Sequence, residues 1–294
     1  MAIRLGIDVG GTFTDFLLFD EGKETYHLHK TPSTPEDQSI GILDGIRSLL
    51  DQTKLSADDI QSMLHGTTVA TNIVLEAKGA QVGLLVTENF EQVLHLARSQ
   101  TPGPLAGWIT MDKPEPLADL ELTRGVPERI SAQGEILQPL DESRAREMAD
   151  ELVRKGADSI TISLLHAYSN PVHEHKLRDI IANAYPDLPI SLSSEILPEF
   201  REYERTLVTV MNAYVRPGMR RYLDNFRHKL ENERFNSRLH IVRSDSGLMG
   251  LERAMESPVY TLLSGPAGGV AGAAHLSGLA GYPNALGFDM GGTS

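Results

Sequence analysis

The chain of 294 residues has no cysteine, which excludes disulfides, thiolate metal sites and thiol nucleophiles from this stretch of protein. Basic residues are in deficit: 27 Lys and Arg stand against 40 Asp and Glu, a formal net charge of −13. That deficit argues against a nucleic-acid binder, which needs a basic face to neutralise phosphates, and against a polybasic membrane-surface protein. The start, Met1 to Asp8, meets an acid too early to read as a signal peptide. One stretch, Ser257 to Phe288, carries no formal charge. Its seven Gly and three Pro predict strand, Gly-rich turn, helix and strand rather than a membrane span. The expectation is a cytoplasmic protein whose apolar content, 40%, is enough for a proper core in one large or two smaller domains.

Patterning along the chain predicts α/β architecture. Three strand-like runs, Ile3–Asp8, Phe13–Phe19 and Thr25–Lys30, read as an antiparallel meander. A helix follows with Ile40, Leu43, Ile46 and Leu50 on one face. His65-Gly66-Thr67-Thr68 then marks a strand meeting a helix, with a Thr as cap and the helix running to Ala77. Val82–Val86 reads as a buried strand. Between Ser99 and Pro127 five prolines and the single Trp, Trp108, predict an irregular, functional or partner-facing segment. Beyond it helices alternate with strands at Ser159–Leu165, Pro189–Leu192 and Leu239–Val242, with a long helix broken near Pro217-Gly218. The best domain boundary falls in Asp187–Glu199, giving residues 1–190 and 191–294.

A repeat carries the chemistry. Leu5-Gly6-Ile7-Asp8-Val9-Gly10-Gly11-Thr12 matches Leu286-Gly287-Phe288-Asp289-Met290-Gly291-Gly292-Thr293 at six of eight positions. Each copy is an apolar strand ending in Asp, then Gly-Gly-Thr. Paired glycines let the backbone turn tightly enough for successive N–H groups to form an anion site, and the Asp can hold Mg²⁺ through water. Two such hairpins facing one another would clamp a triphosphate and its metal. A single copy is equally well read as a Gly-rich turn with a turn-capping Asp; two copies favour an anion between them.

The duplicated hairpin resembles the phosphate-1 and phosphate-2 motifs of the actin, sugar kinase and seventy-kilodalton chaperone superfamily. Thr261–Val270 stands where that superfamily has its connecting helix. More narrowly, four motifs in order resemble the A subunit of the hydantoinase/oxoprolinase family: Gly6–Asp15, His65–Asn72, Arg201–Thr206 and Ser264–Gly269. The resemblance covers essentially the whole chain. It implies a ribonuclease-H-like, actin-type ATPase lobe with inserted α/β material. It also implies a hydantoinase/oxoprolinase N-terminal domain over 1–190 and the start of a hydantoinase A domain over 191–294. Ser294 falls inside the second phosphate loop, so the sequence reads as the N-terminal part of a longer chain whose adenosine site lies beyond it.

The family includes ATP-dependent hydantoinases, 5-oxoprolinases, caprolactam hydrolases and the ATP-using subunits of acetone and acetophenone carboxylases. The resemblance therefore implies ATP and Mg²⁺ as cofactors, a B-type partner subunit in a hetero-oligomer, and a cyclic amide or a ketone as substrate. Phosphorylation of a hydantoin, 5-oxoproline or lactam carbonyl is the first expectation, and carboxylase chemistry the second. The segment Ser99–Trp108 departs from the Arg-rich pattern of many hydantoinases, which keeps the carboxylase branch open. A third reading is a chaperone-like module that uses nucleotide to change shape.

Expected site residues follow. Asp8 and Asp289 are the catalytic and metal-holding carboxylates; Gly10, Gly11, Thr12, Thr14, Gly291, Gly292 and Thr293 bind phosphate. Cleft or substrate candidates are His65, Gly66, Thr67, Thr68, Arg205, Ser264 and Gly265. Each has a plainer alternative: a helix cap for the His65 motif, a solvated face for Arg205 where the other reading has Arg205 or Arg201 reach the cleft or brace the two domains, and close helix packing for Gly268, Gly269 and Gly272. Where the chaperones carry a carboxylate before the helix Pro this chain has Gly265, so no acid–base role transfers there. His173-Glu174-His175 reads as structural, because His at i and i+2 point to different sides of a helix.

Overall fold

The computed structural model describes residues 2–34, 37–98 and 115–288, and the chain forms two compact units, Met1–Lys78 with Gly218–Ser294, and Gly79–Pro217. The first unit opens on β1 (Ile3–Val9), β2 (Phe13–Asp20) and β3 (Thr25–Pro32), paired antiparallel as the meander predicted. Alternation sorts their side chains. Leu5, Ile7, Val9, Thr14, Phe16 and Leu18 are buried, while Asp8, Phe13, Asp15 and Leu17 stand on the other face. In α1 (Gln38–Thr53) the Asp37 carboxylate accepts the Ser39 N–H as the cap. Its buried side is Ile42, Leu43, Ile46 and Leu49, whereas Ile40 is 46% exposed. The expected stripe is rotated because Gly45 sets the contact line: a Cβ there would lie inside the Phe16 ring. β4 (Ile60–Thr67) runs parallel to β1, and α2 (Val69–Leu75) follows it.

The second unit is built from β5 (Val82–Thr87), α3 (Val93–Leu96), β6 (Thr123–Val126), a hairpin of β7 (Arg129–Ile130) and β8 (Ile136–Gln138), and α4 (Glu142–Arg154). β9 (Ser159–Ser163), α5 (Val172–Ala184), β10 (Ile190–Leu192) and α6 (Ser193–Ile196) complete its helix–strand alternation. Its main sheet has the order β10-β9-β5-β6, all parallel. β5 and β9 are buried along their whole lengths, as parallel strands covered on both faces are. Ala145, Ala149 and Leu152 of α4 and Leu177 and Ile181 of α5 fill the core against Ile160, Ile162 and Leu192. The expectation for Ser99–Trp108 lies outside the described residues.

α7 (Glu202–Asn232) gives its first half to the second unit and its second half to the first. It passes Pro217 without the expected break. A proline removes one backbone hydrogen bond, and here Val210, Ala213 and Val215 before it and Met219, Leu223 and Phe226 after it are all fully buried.

Back in the first unit, β11 (Arg238–Val242) pairs parallel with β4, and β12 (Leu248–Gly250) antiparallel with β11. The resulting sheet has the order β12-β11-β4-β1-β2-β3. α8 (Leu251–Glu256), a 3₁₀ turn at Pro258–Thr261 and α9 (Ser264–Leu279) follow. The strand expected after Ser257 is replaced by that turn, since Pro258 fixes φ and has no N–H for a ladder. A Cβ at Gly268, Gly269 or Gly272 would meet nothing within 4 Å, so close helix packing does not account for these glycines among the described residues. Among the described residues, no helix is long and apolar enough to cross a membrane.

An antiparallel meander continued by parallel strands is the ribonuclease-H-like arrangement of an actin-type lobe. The α/β material inserted in it is Gly79–Pro217. The chain leaves the first unit after Lys78 and returns to it at Gly218.

Candidate nucleotide-phosphate cleft

A cleft of about 1120 Å³ opens on the exposed face of the first unit's sheet, where β1 ends. The β1–β2 turn forms its lip. Gly10 N–H donates to Phe13 O at 3.0 Å to close the turn, and Ser33 braces it from beside β3: its Oγ donates to Gly10 O at 2.8 Å and its N–H to Thr12 O at 2.9 Å. The Gly11 and Thr12 N–H groups have no hydrogen-bond partner among the described residues, which leaves two adjacent donors for an anion.

Asp8 stands exposed on β1 directly opposite Gly66 of β4. A Cβ on Gly66 would sit 3.1 Å from Asp8 Oδ1, and one on Gly265 at 4.0 Å. The space around this carboxylate is thus kept open by two missing side chains, one from a strand end and one from the first turn of α9. That first turn is tied down: Ser264 Oγ donates to Thr67 O at 3.2 Å, and Leu263, left-handed at φ 59°, gives its N–H to Thr71 Oγ1 at 3.3 Å. Thr68 does not cap α2 with its side chain; its Oγ1 donates to Val9 O at 3.0 Å, joining the ends of β4 and β1.

The structure brings Asp8, Gly10, Gly11, Thr12, Gly66, Thr68, Ser264 and Gly265 together around the cleft. Thr14, His65 and Thr67 point the other way. Thr14 is buried with its hydroxyl 3.0 Å from Ser33 Oγ. His65 is buried with Nε2 2.8 Å from the Tyr222 hydroxyl and its ring 5.1 Å from that of Phe226. Burial pushes the His65 imidazole down to about 4, only partly offset by the Ile7 backbone, so the ring is neutral at ordinary pH. Burial raises the Tyr222 hydroxyl, so it stays protonated. Asp289, Gly291, Gly292 and Thr293 lie outside the described residues.

Arg205 belongs to the second unit and is fully buried there. Its guanidinium donates to Ser193 Oγ at 3.1 Å, Glu199 O at 2.9 Å and Leu164 O at 2.9 Å. Glu174, also buried, accepts from Leu164 N–H, Ser193 Oγ and Ser194 N–H; burial raises its carboxyl against those hydrogen bonds. His173 Nδ1 lies 2.7 Å from Glu128, itself hydrogen-bonded to Thr87. These groups brace the second unit's strand ends. Sequence reasoning missed Tyr222, Ser33 and Glu128; only Ser33 had a signal, since hairpin register carries the residue after β3 back beside the Gly-Gly turn.

Among the described residues, no three His, Asp or Glu side chains converge as a metal cage. Asp8, exposed at the end of β1, is a donor that suits Mg²⁺ arriving with a nucleotide, because that ion keeps several waters and needs one or two carboxylates.

Fold and cleft together place the first unit among the actin-type ATPase lobes. The chain belongs to the hydantoinase/oxoprolinase family: residues 4–185 match the hydantoinase/oxoprolinase N-terminal region and residues 205–294 the hydantoinase/oxoprolinase model that follows it. It is 37% identical to an uncharacterized protein of Methanocaldococcus jannaschii over all of this chain and 43% of that one. It is 33% identical to the acetophenone carboxylase gamma subunit of Aromatoleum aromaticum, over 99% of this chain and 41% of that one. The crystal structure of ATP-dependent caprolactamase from Pseudomonas jessenii matches with a TM-score of 0.87 at 32% identity, covering 99% of this chain and 42% of that one. The chain thus spans under half the length of these relatives.

Proposed function

We propose that this chain is the nucleotide-phosphate lobe of an ATP-dependent enzyme that hydrolyses a cyclic amide of the hydantoin, 5-oxoproline or lactam type. One observation carries the reading: Asp8, at the mouth of a turn with two unpaired N–H donors, stands in space kept open by Gly66 and Gly265. When bound, ATP with Mg²⁺ supplies the phosphoryl group that turns the ring carbonyl oxygen into part of a leaving group, making its carbon a better electrophile for water. The protein's share is positioning and charge neutralisation. Gly11 and Thr12 receive phosphate oxygens, Gly10 closes the turn that presents them rather than binding phosphate itself, and Asp8 holds waters of the metal. Asp289 with Gly291, Gly292 and Thr293 forms the facing half of the clamp. A cytoplasmic hetero-oligomer with a B-type subunit completes the enzyme, in keeping with relatives that are themselves named as subunits.

A second reading, the ATP-using subunit of a ketone carboxylase, is favoured by an identity to the acetophenone carboxylase subunit as high as that to caprolactamase. Purified full-length protein with its partner subunit separates the two. Ring amides should stimulate ATP turnover and be opened, and Asp8→Asn should lower that turnover by about a hundredfold or more with the fold intact. Stimulation by ketone plus bicarbonate alone selects the carboxylase. Turnover indifferent to both substrate classes and to D8N contradicts the enzyme reading.

A further inference from the structure

A row of residues crosses the floor of the cleft. Gly66 on β4 stands beside Asp8 on β1, Asp8 beside Asp15 on β2, and Asp15 beside Lys30 on β3. Asp8, Asp15 and Lys30 all lie on the exposed face and line the cleft. Adjacent strands are about 4.8 Å apart, so two carboxylates stand one strand-spacing from each other. Like charges so placed repel unless a cation joins them. Lys30 supplies a cation for Asp15: its Nζ is 2.9 Å from Asp15 Oδ1, 3.2 Å from Oδ2 and 5.1 Å from the centre of the Phe13 ring. The ammonium therefore lies against β2, between Asp15 and the Phe13 ring that adjoins the Gly-Gly turn. Among the described residues, Lys30 is the one Lys or Arg that lines the cleft.

An ammonium has three N–H donors, and the hydrogen bond to Asp15 Oδ2 uses one of them, so others remain for a further anion. Both partners are more than half exposed, so the pair by itself contributes little to the fold. An ion pair that does little for stability, on the floor of an anion-binding cleft, in a chain with a large negative charge, has a more specific use.

We propose that Lys30 is the cleft's phosphate-binding cation, pre-aimed by Asp15 so that a remaining donor meets a phosphate oxygen of the incoming nucleotide. The inference rests on the ATP reading above and adds to it the source of positive charge that the glycine turn lacks. It assigns unlike roles to the two members of the pair. Lys30 touches the anion, whereas Asp15 only orients Lys30 and, being negative, opposes the nucleotide.

Equilibrium binding of MgATP to the full-length protein tests this, with Lys30→Gln, Lys30→Arg and Asp15→Asn compared and thermal melting used to show that each is folded. K30Q should weaken binding about tenfold, the loss of one charge-assisted hydrogen bond, while K30R retains most of the affinity. D15N should bind as tightly as the parent or more tightly. A K30Q affinity within roughly twofold of the parent overturns the proposal. So does a D15N loss equal to that of K30Q, since the pair then only braces the β2–β3 hairpin. A parent protein that binds no MgATP at all removes the ATP reading itself, and this inference with it.

Discussion

Gly66 and His65 are chain neighbours with opposite duties. On a strand their directions alternate, so Gly66 faces the cleft beside Asp8 while His65 turns inward to Tyr222. The inward residue makes a pH prediction. The folded His65 has its pKa pushed down to about 4 by burial, below an unfolded value near 6.5. The unfolded chain therefore takes up the proton first as pH falls. Stability from keeping this ring neutral is complete above pH 6.5 and drains away towards pH 4. Between pH 7 and 5 the unfolding free energy should drop by about 2 kcal/mol on this account. Urea titrations at the two pH values should show that drop, and His65→Gln should remove it; equal drops in both proteins refute the assignment. Asp8, Gly66 and Ser264, which line one cleft, were each singled out by a separate motif, and the first stood out from an ordinary turn because it recurs at Asp289. The direction of His65, Thr67 and Thr14 was not, since it depends on which face of the sheet α1 and α7 cover.

At the scale of elements, the meander and the alternating helices of the second unit were legible from period-two and helical patterning, as Leu5, Ile7 and Val9 or Ala145, Ala149 and Leu152 illustrate. Short pieces such as β7, β8 and β12 were not, having two or three residues each and no room for a period. α7 misled in a different way: Pro217 signals a stop locally, and buried neighbours on both sides outweigh it. Arg205, at the start of that helix, was expected first on a solvated face and otherwise as a cleft residue or a brace; it is instead buried, and its three acceptors give it a bracing geometry within the second unit. Burial lowers its pKa, opposed by Glu174 and Glu202, so the guanidinium's hydrogen bonds hold a charge that is costly to bury. Arg205→Ala leaves buried Glu174 without that cation and should destabilise the protein by about 3 kcal/mol, seen as a lower melting temperature. A melting curve unchanged by R205A contradicts the bracing role.

The whole molecule poses the question of how a chain with a charge of −13 receives a polyanion. A broad basic surface is not available to it. On the reading proposed above, attraction comes from a few fixed points: backbone N–H groups at the Gly-Gly turn, one lysine against β2, and a metal that Asp8 would hold. The central claim is that those points serve to activate a carbonyl oxygen with a phosphoryl group, and the fate of that oxygen reports on it directly. Full-length protein with its partner subunit should be given a cyclic amide labelled with ¹⁸O at the ring carbonyl, and the phosphate released from ATP examined by ³¹P NMR for the isotope shift. The account predicts one ¹⁸O delivered to phosphate for each ring opened. Ring opening with ATP consumed but no ¹⁸O in the phosphate would contradict it.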